Sequence, residues 1–370
     1  MPEGNPPGLC QRIISYTKAD ISSRQPFHEL PIQPSMVLAD TMGRPLRDLR
    51  ISVIDRCNFR CSYCMPREVF GTDYQYLPRS EILSFEEIDR LVSLLVPLGI
   101  EKIRLTGGEP LLRRDFPILV AMLAKHGVEL ALTTNGALLA GMVEELVAAG
   151  LDRVTVSLDA LDEETFQSMS DTETSVAEVL AGIDAAVAAG LGPVKVNAVI
   201  CRGVNEHAVV DLFKHFRGTD VTVRFIEYMD VGASNQWRAE EVVSGAEILQ
   251  ILSESHELEP VAESVVGQVA KLWRTKEGDE VGVITSVSEP FCGDCCRARL
   301  SSSGELYTCL FAETGFDLKG PLRDGASDGE LQELVRSVWS GRRDRYSEER
   351  GEDDAADRIV LPVEMSHIGG

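Results

Sequence analysis

Residues 49–66 read LRISVIDRCNFRCSYCMP. The first six, Leu49 to Ile54, are largely apolar and partly β-branched and predict a strand. DRCNFRCSYC follows directly, with none of the glycines of a dinucleotide-binding turn. It places three thiols, Cys57, Cys61 and Cys64, on one loop. A structural zinc site normally closes with four ligands. Three thiolates can instead hold three corners of a [4Fe–4S] cube and leave the fourth iron open to a substrate or cofactor. Zinc with a fourth ligand from elsewhere in the chain stays open on spacing alone.

Further runs of the same kind recur at 102–105, 128–134, 153–158, 194–200 and 221–226. Helix-like stretches separate them at 85–98, 116–126, 138–149, 175–189 and 206–217. Ser84 ahead of Glu86 and Glu87 marks one helix start. Strands alternating with helices predict a parallel α/β sheet with right-handed crossovers. Without a dinucleotide fingerprint, a partial (β/α)6 barrel of the TIM type is favoured, with its chemistry at the carboxyl ends of the strands. The rhythm divides the chain into an extension without fixed structure (1–45), the barrel (46–245) and a C-terminal module (246–370). The charged stretch at 341–358 reads as a solvated helix and loop without function.

The chain has 370 residues, 44% apolar and 26% charged, enough for a large core. Its net charge of −23 opposes non-specific binding to nucleic acid or to an anionic membrane. No apolar run reaches the length of a membrane span, and MPEGNPPGLCQ lacks a secretory pattern. A cytoplasmic protein is expected. Seven of the nine cysteines fall in two windows, which in a reducing compartment suggests metal ligation over disulfides.

The second window runs FCGDCCRARL from Phe291 to Leu300 and on to Cys309. Cys292, Cys295 and Cys309 again make three thiolates, consistent with a second open-cornered cluster carried by the C-terminal module at the barrel mouth. With Cys296 a closed four-cysteine site is also available. Neighbours on an extended chain point to opposite faces, which makes Cys296 the bystander. Arg297 and Arg299 stand two apart, so an extended segment presents both forks on one face, suited to phosphate oxygens.

The Cys-x3-Cys-x2-Cys loop, with Tyr63 before its last cysteine, and Thr106-Gly-Gly-Glu-Pro110 after the next strand resemble the radical S-adenosylmethionine (SAM) superfamily. With IRLTGGEPLLRRD, LTTNGALL, RVTVSLDAL, VKVNAVICRGVN, RFIEYMDVG, FCGDCCRARLSSSGELYTCLF and the terminal MSHIGG, the resemblance narrows to the GTP 3′,8-cyclase family of molybdenum-cofactor biosynthesis, a class of lyases. It implies two [4Fe–4S] clusters, one on Cys57, Cys61 and Cys64 and an auxiliary one on Cys292, Cys295 and Cys309. It implies SAM contacts at Tyr63, Gly108, Ser157 and Met229. GTP contacts are implied at Arg50, Arg104, Thr133, Lys195, Arg224, Arg297 and Arg299. Arg297, Arg299, Gly369 and Gly370 carry over as catalytic, because this family's tail enters the active site. The implied reaction takes hydrogen from ribose C3′ of GTP with a 5′-deoxyadenosyl radical, joins C3′ to C8, and ends with a reduction that gives 3′,8-cyclo-7,8-dihydro-GTP. Implied partners are a flavodoxin or ferredoxin as electron donor, the cyclic pyranopterin monophosphate synthase that acts next, and a second copy in a homodimer. Ile54 and Cys296 depart from the family pattern without removing a ligand. A peptide-modifying radical SAM enzyme, and an electron carrier or zinc scaffold, are the competing readings.

Overall fold

In a five-residue strand whose side chains alternate between two faces, residues i and i+2 share a surface. In the computed structural model, which describes residues 38–262, 267–350 and 362–369, that rule separates an apolar outer layer from a charged inner one. The six expected strands form as β1 (Asp48–Ser52), β2 (Lys102–Thr106), β3 (Glu129–Thr134), β4 (Arg153–Ser157), β5 (Val194–Ile200) and β6 (Val221–Glu227). Leu49, Ile51, Ile103, Leu105, Leu130, Leu132, Val154, Val156, Val194 and Val196 are buried in the core they share with the surrounding helices. The helix Phe85–Leu95 gives that core Ile88, Leu91, Val92 and Leu95. Ser84 and Glu87 cap it reciprocally, Ser84 Oγ accepting from the Glu87 N–H at 3.1 Å and Glu87 Oε2 from the Ser84 N–H at 2.7 Å. Such a box is worth about 1 kcal/mol.

The C-terminal strands are β7 (Leu258–Pro260), β8 (Lys271–Thr275), β9 (Glu280–Ile284), β10 (Arg297–Leu300), β11 (Glu305–Tyr307) and β12 (Phe316–Asp317). They extend the same sheet on both edges, in the order β12-β11-β10-β1-β2-β3-β4-β5-β6-β9-β8-β7. β10 runs parallel to β1 and β9 parallel to β6, so the parallel part has eight strands where the sequence rhythm shows six. Among the described residues no pairing joins β9 to β10, and the barrel stays partial.

Two expectations change here. Residues 38–45, placed in the extension, belong to the fold: the Leu38 N–H donates to the Leu98 carbonyl, and Asp40 and Arg44 are buried. The remainder of that extension, 1–37, lies outside the described residues. The expectation of a solvated helix and loop holds only in part over 341–350, where Gly341, Arg343, Arg345 and Glu349 are exposed, and 351–358 lies outside the described residues. Arg342 is buried, and Arg350 pairs with Asp230 at 2.7 Å.

Candidate functional site

The inner faces of the strands enclose a chamber of ≈ 680 Å³. Asp48 and Arg50 of β1, Lys102, Arg104 and Thr106 of β2, Lys195, Asn197 and Val199 of β5, and Thr222, Arg224 and Ile226 of β6 line it at spacings of two. Barrels of this type usually fill their interior with branched apolar side chains. Here the inward positions, apart from Val199 and Ile226, are charged or polar, and the centre is hollow. Gly282 of β9 makes room for one of them, since a Cβ there would stand 2.8 Å from Cγ of Arg224.

Both cysteine sets reach this chamber, with Tyr63, Gly108, Thr133, Ser157, Met229, Arg297 and Arg299. They enter from opposite ends. Cys57, Cys61 and Cys64 lie on the loop leaving the carboxyl end of β1, whereas Cys292 and Cys295 precede β10. β10 lies parallel to β1 with Asp48 beside Arg297. β11 returns antiparallel, with Arg299 opposite Tyr307, which carries Cys309 back to the same end. The second set is therefore at the amino-terminal end of the strands, not at the mouth as expected, because its cysteines precede β10 and follow an antiparallel return. About 13 Å of β1 separates the levels of the two sets.

The first loop is tightly fixed. The Gly108 N–H donates to the Ile54 carbonyl at 2.8 Å, and a Cβ on Gly108 would stand 2.2 Å from the Arg56 carbonyl oxygen. The Gly-Gly turn thus lies flat on the chain that leads into the cysteines. Arg60 donates to the carbonyls of Cys57, Phe59 and Phe70 at 2.7–2.8 Å. Tyr63 donates to Asp159 at 2.8 Å. Glu109 is buried and accepts from the N–H groups of Leu111 and Asn135 and from the Thr134 hydroxyl; burial lifts its carboxyl to about 7.

Burial, seconded by Glu109, pushes the Cys57 thiol up to about 12, and burial raises Cys61 and Cys64 as well. Thiolates form there only beside a cation. At the second set burial likewise opposes ionisation of Cys295, but Arg297 and Arg342 beside it bring the thiol down to about 6. N–H groups of Phe59, Arg297 and Phe311 point at Cys57, Cys295 and Cys309 sulfurs, 3.4–3.5 Å away. Among the described residues no three ligating side chains close around a single ion. A cube takes one thiolate at each of three corner irons, and each donor set supplies three.

Between the sets the wall is electropositive in a chain of net charge −23. Burial and then Arg299 and Arg297 depress Arg50, while burial brings Arg299 down to about 10, with Arg297 adding to it. Arg224 falls to about 9 through burial and then Arg104, and Lys195 to about 7 through burial and then Arg224. Arginine does not release its proton in proteins. These depressions therefore report cations taken out of water first and crowded together second. Among the described residues Arg50 Nε is buried with no partner, and Arg104 donates to the hydroxyls of Thr133 at 3.0 Å and Thr155 at 3.2 Å. Gly369 reaches the chamber wall, its carbonyl accepting from Arg299. Gly370 lies outside the described residues.

A curated GTP 3′,8-cyclase from Acidothermus cellulolyticus is 51% identical over 360 residues, covering 90% of this chain and 99% of the relative. The chain belongs to the GTP 3′,8-cyclase family. Another cyclase, from Staphylococcus saprophyticus, is 48% identical over 337 residues with the same coverage. Residues 51–216 match the radical SAM superfamily, and residues 221–348 match Molybdenum Cofactor Synthesis C. As a radical SAM protein the chain uses SAM and a [4Fe–4S] cluster. The crystal structure of Streptococcus suis SuiB bound to S-adenosylmethionine superposes with a TM-score of 0.55 at 15% identity, covering 80% of this chain and 69% of that one. At that identity the likeness concerns the fold. It leaves the cyclase relationship, carried by relatives near 50% identity, to decide against the peptide-modifying reading.

The sequence reading passed over Asn135, whose amide donates to Asn58 at 2.8 Å, and Asn197, which accepts from Arg224 Nε at 3.0 Å. Asn197 was within reach, since it stands two residues from Lys195 on a strand of alternating burial. Arg44 and Arg342 carry no local signal.

Proposed function

We propose that this protein converts GTP to 3′,8-cyclo-7,8-dihydro-GTP, the first step of molybdenum-cofactor biosynthesis. What carries the reading is one chamber walled by buried, crowded cations with a cysteine trio at each end. Cys57, Cys61 and Cys64 would hold the SAM cluster, and Cys292, Cys295 and Cys309 a second one. Together with SAM, the first group would supply the adenosyl radical that takes hydrogen from ribose C3′, so that C3′ can join C8, with one electron from the reductant and one proton completing the product.

The chain's own residues position and enclose. Gly108, Tyr63, Ser157 and Met229 would seat SAM where the Gly-Gly turn meets the first loop. Arg50, Arg104, Lys195, Arg224, Arg297 and Arg299, with Thr133, would take the guanine and the triphosphate, and the negative charge of the triphosphate relieves the repulsion among them. Gly369 brings the tail to Arg299. Among the described residues no helix is long and apolar enough to cross a membrane. The reading extends to a cytoplasmic homodimer served by a flavodoxin or ferredoxin and passing its product to a cyclic pyranopterin monophosphate synthase. Anaerobic incubation with GTP, SAM and reductant, followed by product identification, tests it. Cleavage of SAM that needs a peptide and ignores GTP would favour the peptide-modifying alternative.

Two further outcomes are expected. Gly108→Ala forces a Cβ against a backbone carbonyl that no rotamer change relieves, and SAM should bind about tenfold more weakly. Calorimetry on the reconstituted protein checks this, with unchanged binding as the contrary result. Lys195 sits at about 7, below its ordinary 10.5. A bound polyanion favours the charged amine, so GTP binding takes up a proton between those values, and affinity falls as pH rises through them. Below 7 the amine is already charged and the dependence vanishes. At pH 8, titrations in buffers of different ionisation heat should show uptake of roughly 0.9 proton, absent in Lys195→Met.

A further inference from the structure

The loop carrying Cys292 and Cys295 is held from behind by residues from both ends of the described chain. Arg44 Nη1 donates to the Cys292 carbonyl at 2.8 Å, and Arg342 Nη1 to the Cys295 carbonyl at 2.6 Å. Asp40 lies between them, 2.6 Å from Arg44 Nε and 3.3 Å from Arg342 Nη1. All three side chains are 0–2% exposed. Arg44 Nη1 also donates to the Asp344 carbonyl at 2.8 Å, and Arg342 Nε approaches the Asp344 carboxylate at 3.3 Å. Trp339 stacks under Arg342 at 4.6 Å and donates to the Arg44 carbonyl at 3.1 Å.

A surface ion pair would contribute little, but burying two guanidinium groups is costly unless their donors are used. Here two of those donors end on the carbonyls of predicted cluster ligands. Two carboxylates balance the two guanidinium charges, so what the group gives the loop is direction, not net charge. Arg60 does the same from one side for the first loop, donating to the Cys57 carbonyl at 2.8 Å.

We infer that Asp40, Arg44 and Arg342 form a positioning knot for the second cluster. It fixes the Cys292–Cys295 backbone, so the thiolates meet the metal without first paying for loop order. This rests on the reading that Cys292, Cys295 and Cys309 hold a cluster, and partners behind metal ligands commonly change metal retention by about 10–100-fold.

The test is the rate of iron loss to a chelator, followed by the charge-transfer absorbance, in the full chain reconstituted anaerobically. A Cys57→Ala, Cys61→Ala, Cys64→Ala parent leaves the second set as the iron site. Arg44→Gln and Arg342→Gln in that parent should release iron about tenfold faster. Arg342→Lys, which keeps the charge and a donor, should fall between and decides the matter if the glutamine variants do not fold. Loss at the parent's rate in folded variants overturns the knot. A parent that takes up no iron overturns the second-cluster reading, and the knot with it, so the two failures are told apart.

Discussion

Replacing Cys292 or Cys309 by alanine is expected to abolish cyclisation while SAM still binds at the other end of the chamber. The two sets share no loop: one follows β1, and the other precedes β10 and follows β11. Among the described residues the Gly-Gly turn and Arg60, which shape the first loop, make no hydrogen bond to the second. SAM affinity should therefore change by less than about threefold, as expected for sites without shared partners. Product should fall by more than about a hundredfold, because without the proposed second cluster the nucleotide would no longer be held in place against the radical-forming end of the chamber. SAM binding by calorimetry and product by chromatography, on one preparation, separate the effects. Full product from either variant would remove the second set from the mechanism.

Arg224→Met should make the protein more stable and a poorer binder of GTP. Arg224 lies on the inner face of β6, with Nε on Asn197 Oδ1 at 3.0 Å and Gly282 leaving space for its stem. Burial and the neighbouring Arg104 and Arg153 lower it to about 9, and Arg224 in turn depresses Lys195. Removing one buried cation relieves this repulsion, and a gain on the order of 1 kcal/mol, about 2 °C in Tm, is expected. GTP loses charge-assisted hydrogen bonds worth ~2 kcal/mol, about 30-fold in Kd. Proton uptake at pH 8 should also shrink, since Lys195 would already be more charged in the free protein. Misfolding would lower Tm instead. A variant with lower Tm and unaltered GTP affinity would mean that the chamber's charge is structural.

The strands and the first cysteine loop were legible because their signals are local. Leu49–Ile54 runs straight into three thiols, and alternation along β2 and β5 puts Arg104 and Lys195 on the inner face. The position of the second set was not legible. Its end of the barrel depends on β10 pairing parallel to β1 across more than two hundred residues, and nothing near Cys292 announces that partner. Arg342 escaped for a related reason: it sits in GRRDRYSEERGEDD, whose composition is that of a solvated segment. Only the fold brings Asp40 and the Cys295 carbonyl to it.

The claim that one chamber joins a radical-forming end to a nucleotide-holding end is tested most directly with GTP deuterated at C3′. After anaerobic turnover with SAM and reductant, the 5′-deoxyadenosine formed should carry the deuterium, one atom per product molecule. Unlabelled 5′-deoxyadenosine accompanying full conversion of the labelled GTP would contradict the account.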